Sequence, residues 1–299
     1  MKWAILSVFV LATLVVHFRG RVRLGLFRQI TDHSTFFAPV NVLLYAASRV
    51  PNRPYQSLDD FPQMRVFAEH WTEIRDEGLR LAELGRIKAS DGYTDIGFNS
   101  FFRTGWKRFY LMWYGQPHPS ALSLCPVTLG LLQQVPSVKA AMFAHLPPGA
   151  RLVRHRDPYA GSIRYHLGLA TPNDDRCFIE VDGQRYSWRD GEAVLFDETF
   201  VHFAENQTSE DRLILFCDVE RPLAGRGVRA FNRWFGRCVV GAATSPNAAE
   251  DRTGGLNRFF AVAYRARVWG KALKARNRVL YYLLKWVILG GLLALLWFI

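Results

Sequence analysis

Ser162-Ile163-Arg164-Tyr165-His166-Leu167-Gly168-Leu169 reads as a strand, and the same grammar continues as far as Val219. Residues 177–181 and 184–188 flank Asp182-Gly183, the strongest short hairpin signal. Asp190-Gly191 marks another turn. Residues 193–196, 200–206 and 212–219 continue the series at short spacing with no helical period among them. Many short strands joined by tight turns predict a small double-sheet jelly roll or barrel.

Candidate chemistry sits around these strands. Side chains two apart on a strand leave from the same face, so His155 and Asp157 reach one point in space. His202, on a later strand, supplies a third corner. Two imidazoles and one carboxylate on one face of an octahedron leave three positions open, the arrangement of non-haem Fe(II) oxygenases. Two of those positions suit a 2-oxo acid and the third dioxygen. Arg212 is placed to pair bidentately with the distal carboxylate of 2-oxoglutarate, for which a rigid guanidinium fork suits better than an ammonium. A chain with eight His is expected to contain about one His-x-Asp/Glu by chance. The strand grammar around all four residues lifts the pattern above that background. Arg164 and His166 alternate with Tyr165 and share a face, either that of a polar pocket or the solvated side of an antiparallel sheet.

A longer series of landmarks carries a resemblance. Cys125-Pro126, Pro136, Phe143, Pro148-Gly149, His155-Arg156-Asp157-Pro158, Arg164-Tyr165-His166-Leu167-Gly168-Leu169, residues 191–197, His202, Arg212 and Asp218-Val219 resemble, in order and spacing, the aspartyl/asparaginyl β-hydroxylase family. Within it, the intact His-x-Asp and the two apolar ends described below resemble the bacterial lipid A fatty-acyl 2-hydroxylases; the animal protein hydroxylases lack the carboxylate. The resemblance implies a catalytic Fe(II) at His155, Asp157 and His202. It also implies 2-oxoglutarate at Arg212, with Arg164 and His166 as further oxo-acid or substrate contacts. The implied reaction uses dioxygen to hydroxylate carbon 2 of a fatty acyl chain of lipid A, while 2-oxoglutarate is decarboxylated to succinate. One departure is Ala144, where the animal enzymes carry a Ser that helps hold the oxo acid. Two rival readings are an aspartyl/asparaginyl protein β-hydroxylase and a non-catalytic, membrane-tethered lipid-binding barrel.

Charge is unevenly placed. The formal net charge is +12. Residues 223–278 hold 12 basic and 2 acidic side chains, whereas residues 29–222 hold 20 basic against 24 acidic. The positive charge flanks the apolar ends, which argues for an anionic membrane leaflet as partner rather than nucleic acid. Residues 3–18 and 279–299 are apolar and close to the length that a bilayer demands, so each is expected to span it. Arg19, Arg21 and Arg23 follow the first, and Lys271, Lys274, Arg276 and Arg278 precede the second. By the positive-inside rule this predicts a bacterial inner-membrane protein with a cytoplasmic middle and both termini periplasmic.

The expected organisation is α+β: a double-stranded β-helix barrel with flanking helices and terminal transmembrane helices. Its segments are an anchor at 1–18, a basic juxtamembrane and helical region at 19–124, the jelly-roll core at 125–222, basic interfacial helices at 223–278 and a second span at 279–299. Residues 60–84 read as one helix, with Phe67, Trp71, Ile74 and Leu81 on its core stripe. The aromatic run from Phe101 to Trp106 is a candidate pocket wall. Residues 227–240 and 256–276 read as basic amphipathic helices for a bilayer interface. Cys125, Cys177, Cys217 and Cys238 contain no C-x-x-C, which points to a reducing compartment and buried thiols.

Overall fold

The protein is seen in a computed structural model that describes residues 2–90 and 94–298. Its strands are β1 (Tyr55–Gln56), β2 (Lys107–Trp113), β3 (Gln116–Pro117), β4 (Val138–Leu146), β5 (Arg151–His155), β6 (Ser162–Ala170), β7 (Cys177–Val181), β8 (Gln184–Ser187), β9 (Ala193–Phe196), β10 (His202–Asn206) and β11 (Arg212–Glu220). Its helices are α1 (Lys2–Phe18), α2 (Leu26–Thr31), α3 (His33–Phe36), α4 (Ala38–Ala46), α5 (Arg65–Glu69), α6 (Trp71–Glu83), α7 (Pro119–Leu124), α8 (Pro126–Gln134), α9 (Arg226–Phe235), α10 (Gly255–Arg276) and α11 (Arg278–Phe298).

Two antiparallel sheets face each other. One runs β1-β9-β6-β11-β4-β2-β3 and the other β5-β10-β7-β8. From β4 to β11 the chain crosses back and forth between these layers, which is jelly-roll topology. The turn between β7 and β8 falls on Asp182 and Gly183, both at positive φ, where a two-residue hairpin needs them.

The larger sheet is buried on both faces. Its outer face packs Phe143, Tyr165 and Leu215 against Phe67, Ile74 and Leu81 of α5 and α6. Its inner face turns Met142, Ile214 and Phe216 toward Trp188 and Ile179 of the smaller layer. Burial on two sides is why β4, β6 and β11 are buried along nearly their whole length, with polar side chains such as Arg164 and His166 turned to the inner face. The helix expected over 60–84 is broken: a short 3₁₀ turn, Pro62–Met64, leads into α5, and His70 at φ −111° separates α5 from α6. Within α6, Glu77 is buried because it caps the start of α8, accepting the N–H groups of Val127 and Thr128 at 2.9 Å each.

The terminal spans and the topology drawn from them are not supported. Among the described residues no helix is long and apolar enough to cross a membrane. At 17 residues α1 covers about 26 Å, short of the roughly 30 Å of a hydrocarbon core. The last turn of α1 is committed to the protein instead: Ala12 and Val16 pack with Ala38 of α4, and the carbonyl oxygens of Val16 and His17 accept from Arg156. Arg19, expected as a juxtamembrane cation, is buried and donates to Asp197 and Thr199 at 2.6 Å. At the other end α11 begins at Arg278 and carries Lys285 within it. Ile299, where the second expected span ends, lies outside the described residues.

The two basic helices differ from one another. In α9, Phe235 is buried and stacks on Tyr159 at 5.2 Å, so this helix is partly a barrel-packing element. By contrast, α10 leaves Phe259 and Trp269 in the open, 69% and 80% exposed. All four cysteines are free thiols, and Cys238 is exposed rather than buried.

Candidate metal centre

His155 ends β5, His202 begins β10, and the two are directly paired across those neighbouring strands. Their ring centroids are 4.2 Å apart. Asp157, just past β5, is fixed by its own N–H, which donates to the Glu198 carbonyl at 2.9 Å. Its Oδ1 lies 3.5 Å from His155 Nε2 and 4.0 Å from His202 Nε2. One donor atom from each of the three residues falls within 4.8 Å of the others.

The donor set fits a metal ion. Nδ1 of His155 stands 2.7 Å from the Val153 carbonyl oxygen, and Nδ1 of His202 stands 2.9 Å from that of Phe200. A carbonyl can only accept, so each Nδ1 carries a proton, which leaves Nε2 as the nitrogen through which either ring could bind a metal. Burial, with His155 beside it, pulls the His202 pKa down to about 3, which keeps its imidazole neutral. Burial alone raises the Asp157 carboxyl, but Arg164 and His155 outweigh it and hold the group well below the usual carboxylate range.

Arg212, the first residue of β11, lines the same pocket. It is 2% exposed, and its Nε and Nη2 have no hydrogen-bond partner among the described residues. Trp188 lies under the guanidinium, 4.4 Å from carbon to ring centroid. Burial lowers the pKa of Arg212 to about 10, so it remains a cation at neutral pH. A buried charge without a counter-ion is costly, and a carboxylate entering this pocket would relieve it. Both ring nitrogens of His166 are likewise without a hydrogen-bond partner among the described residues, and burial followed by Arg164 keeps this ring neutral.

Arg164 lines the pocket but is already engaged. Its Nη2 donates to Asp157 Oδ2 at 2.7 Å and its Nε to Asp218 Oδ1 at 2.8 Å, over the face of Phe216. Its position places it on the candidate metal carboxylate, whereas Arg212 holds the open anion position. Ala144 is in the wall, as are Phe98, Phe101 and Trp106. Phe101 packs on His155 with centroids 4.8 Å apart. The cavity that remains is about 40 Å³. That is room for a few waters, so a larger ligand must part these side chains.

The structure brings all six candidate residues to one pocket, and beside them stand Asp218, Trp188 and Phe216, which were not among the site residues expected from the sequence. A signal was available. Inward-facing positions of β11 recur every second residue, and counting on from Arg212 reaches Ile214, Phe216 and Asp218.

The family described as aspartyl/asparaginyl beta-hydroxylase matches residues 68–222, more than half of the chain. An ornithine lipid ester-linked acyl 2-hydroxylase of Rhizobium tropici is 35% identical over 181 residues, covering 59% of this chain and 63% of that one. Human aspartyl/asparaginyl beta-hydroxylase is 28% identical over 164 residues, covering 53% of this chain and 21% of its own. The chain therefore spans less than two thirds of the length of either relative. Among solved structures, a Pseudomonas putida prolyl-4-hydroxylase aligns with a TM-score of 0.34 and 18% identity, covering 52% of this chain and 88% of that one. The chain belongs to the aspartyl/asparaginyl β-hydroxylase family.

Proposed function

We propose that this protein is an Fe(II)/2-oxoglutarate-dependent dioxygenase that hydroxylates carbon 2 of a fatty acyl chain of lipid A. One observation carries the reading: a buried Arg212, whose Nε and Nη2 have no partner among the described residues, shares a pocket with the His155–Asp157–His202 cluster. A bare lipid-binding barrel has no use for both.

His155, Asp157 and His202 would hold the iron, and Arg212 would hold the distal carboxylate of the oxo acid through its planar fork. Iron with 2-oxoglutarate and dioxygen supplies the oxidising power for C–H hydroxylation, the oxo acid leaving as succinate and carbon dioxide. His166, neutral and without a hydrogen-bond partner among the described residues, is positioned to donate to or accept from the oxo acid or the substrate. Phe98, Phe101 and Trp106 supply the apolar surface that an acyl chain needs, and they exclude water from the metal side of the pocket.

That aromatic wall favours an acyl chain over an Asp or Asn side chain as the group attacked. The Rhizobium relative, named for acyl 2-hydroxylation of an ornithine lipid, supports the carbon position and makes ornithine lipid the substrate to test beside lipid A. We further assign an anionic lipid surface as partner of α10, where Phe259 and Trp269 are exposed among Arg258, Arg265, Arg267 and Lys271.

Mass spectrometry of lipids from cells with and without the gene tests the whole reading. A 16 Da gain on an acyl chain of lipid A that depends on the gene is expected. The same gain on ornithine lipid alone would replace the substrate, and no gain on any acyl lipid would overturn the reading.

A further inference from the structure

Asp157 offers two oxygens, and only one of them faces the histidines. Oδ1 is the atom 3.5 Å from His155 Nε2 and 4.0 Å from His202 Nε2, while Oδ2 is taken by Arg164 Nη2 at 2.7 Å. The selection is made by a polar chain that runs away from the pocket. Arg164 and Asp218 are directly opposite on β6 and β11, and Arg164 Nε donates to Asp218 Oδ1 at 2.8 Å. The hydroxyl of Tyr114 then donates to Asp218 Oδ2 at 3.4 Å. Each link is buried: Arg164 is 6%, Asp218 5% and Tyr114 9% exposed.

Tyr114 is held where a tyrosine is not at ease. Its φ is +41°, on the tip between β2 and β3, and Gly115 follows at φ +101°. Non-glycine residues avoid this region, and such strain persists where the surroundings fix it. Here Gly236 leaves room for the ring, since a Cβ there would sit 3.0 Å from it.

We propose that Asp218 and Tyr114 are positioning residues for the metal carboxylate, acting through Arg164 to hold Asp157 Oδ2 so that Oδ1 alone is presented beside the two imidazoles. This rests on reading the three residues as a metal site. A guanidinium between two carboxylates is locked at both ends, which fixes the Asp157 rotamer before any ion arrives. Without Asp218, Arg164 is free to swing, and both oxygens of Asp157 become available to the metal.

Titration of the purified full-length protein with Co(II) alone, under argon, tests this by affinity and by the visible spectrum. Asp218→Asn is expected to weaken Co(II) binding on the order of 10-fold and to shift the spectrum as the carboxylate turns to bind through both oxygens. Tyr114→Phe, which deletes one hydroxyl, is expected to move both readouts the same way by less. Unchanged Co(II) affinity and spectrum in a folded Tyr114→Phe together with a folded Asp218→Asn, or in Tyr114→Phe alone if Asp218→Asn does not fold, overturns the proposal, whatever the change in melting temperature. His155→Ala separates this from failure of the metal reading, because wild type and His155→Ala binding Co(II) equally would remove the site itself.

Discussion

Arg156 donates through Nη1 to the carbonyl oxygen of Val16, at the end of the first helix of the chain, although its own neighbours are the candidate ligands His155 and Asp157. A second donation reaches the His17 carbonyl at 3.4 Å. The three-residue motif therefore faces two ways. Its outer members point into the pocket, and its middle member clamps α1 to the barrel, a cation at a helix C-terminus where unsatisfied carbonyls gather.

Arg156→Met keeps most of the side-chain volume and removes both donors. The carbonyls of Val16 and His17 then lose their partner in a buried place, which costs roughly 1–3 kcal/mol. The urea midpoint is expected to fall accordingly, with Co(II) affinity changing far less than in His155→Ala. Full stability combined with loss of metal would show that Arg156 serves the pocket instead.

Each of His155→Ala, Asp157→Ala and His202→Ala is expected to abolish turnover and to leave the jelly roll folded. Each substitution removes one of three donor atoms. Metal content after purification together with far-UV circular dichroism checks this. A variant that retains stoichiometric iron and turnover would take that residue out of the site.

Arg212→Lys keeps a charge and loses the fork. Its nitrogen must also leave the ring of Trp188, over which the guanidinium now lies. The KM for 2-oxoglutarate is expected to rise at least tenfold, with the KM for the lipid little changed. Equal rises in both would mean that Arg212 supports the pocket generally.

How far the sequence could be read depended on the range of the interaction. Strand alternation and Asp182-Gly183 are local, so the barrel was legible from them, whereas Asp157 lies past the end of β5 and is set beside His155 by the Glu198 carbonyl rather than by strand alternation. The pairing of Arg164 with Asp157 and Asp218 was not, because a guanidinium on an inner face can serve a ligand or a neighbouring carboxylate, and only register decides. The first helix misled for a related reason: an apolar run ending in Arg19 looks like a membrane anchor unless one knows that Asp197 waits 178 residues away to bury that arginine. Likewise, the buried Glu77 that accepts from Val127 and Thr128 at the start of α8 answers a tertiary demand with no local trace.

Glu198 supplies a pH prediction whose sign can be worked through. Burial first, with Asp218 and Asp197 close by, raises its pKa to about 8 despite the attraction of Arg164. Ser162 Oγ donates to its Oε1 at 2.8 Å, while Oε2 has no partner among the described residues, as suits a carboxyl that carries its proton. In the unfolded chain the group titrates near 4.3. Between about 4.3 and 8 the native state therefore holds a proton that the unfolded state has lost, and stability falls as pH rises through that window. Burial shifts Asp218 upward as well and adds to the same slope, whereas Asp197, held low by Arg221 and Arg19 against its burial, contributes only below the window. Glu198→Gln keeps the shape and deletes the titration. Urea unfolding of metal-free protein at pH 5 and pH 8 is expected to show wild type losing on the order of a few kcal/mol more than the variant between the two. Parallel losses would mean that Glu198 is ionised in the native state and balanced by Arg164.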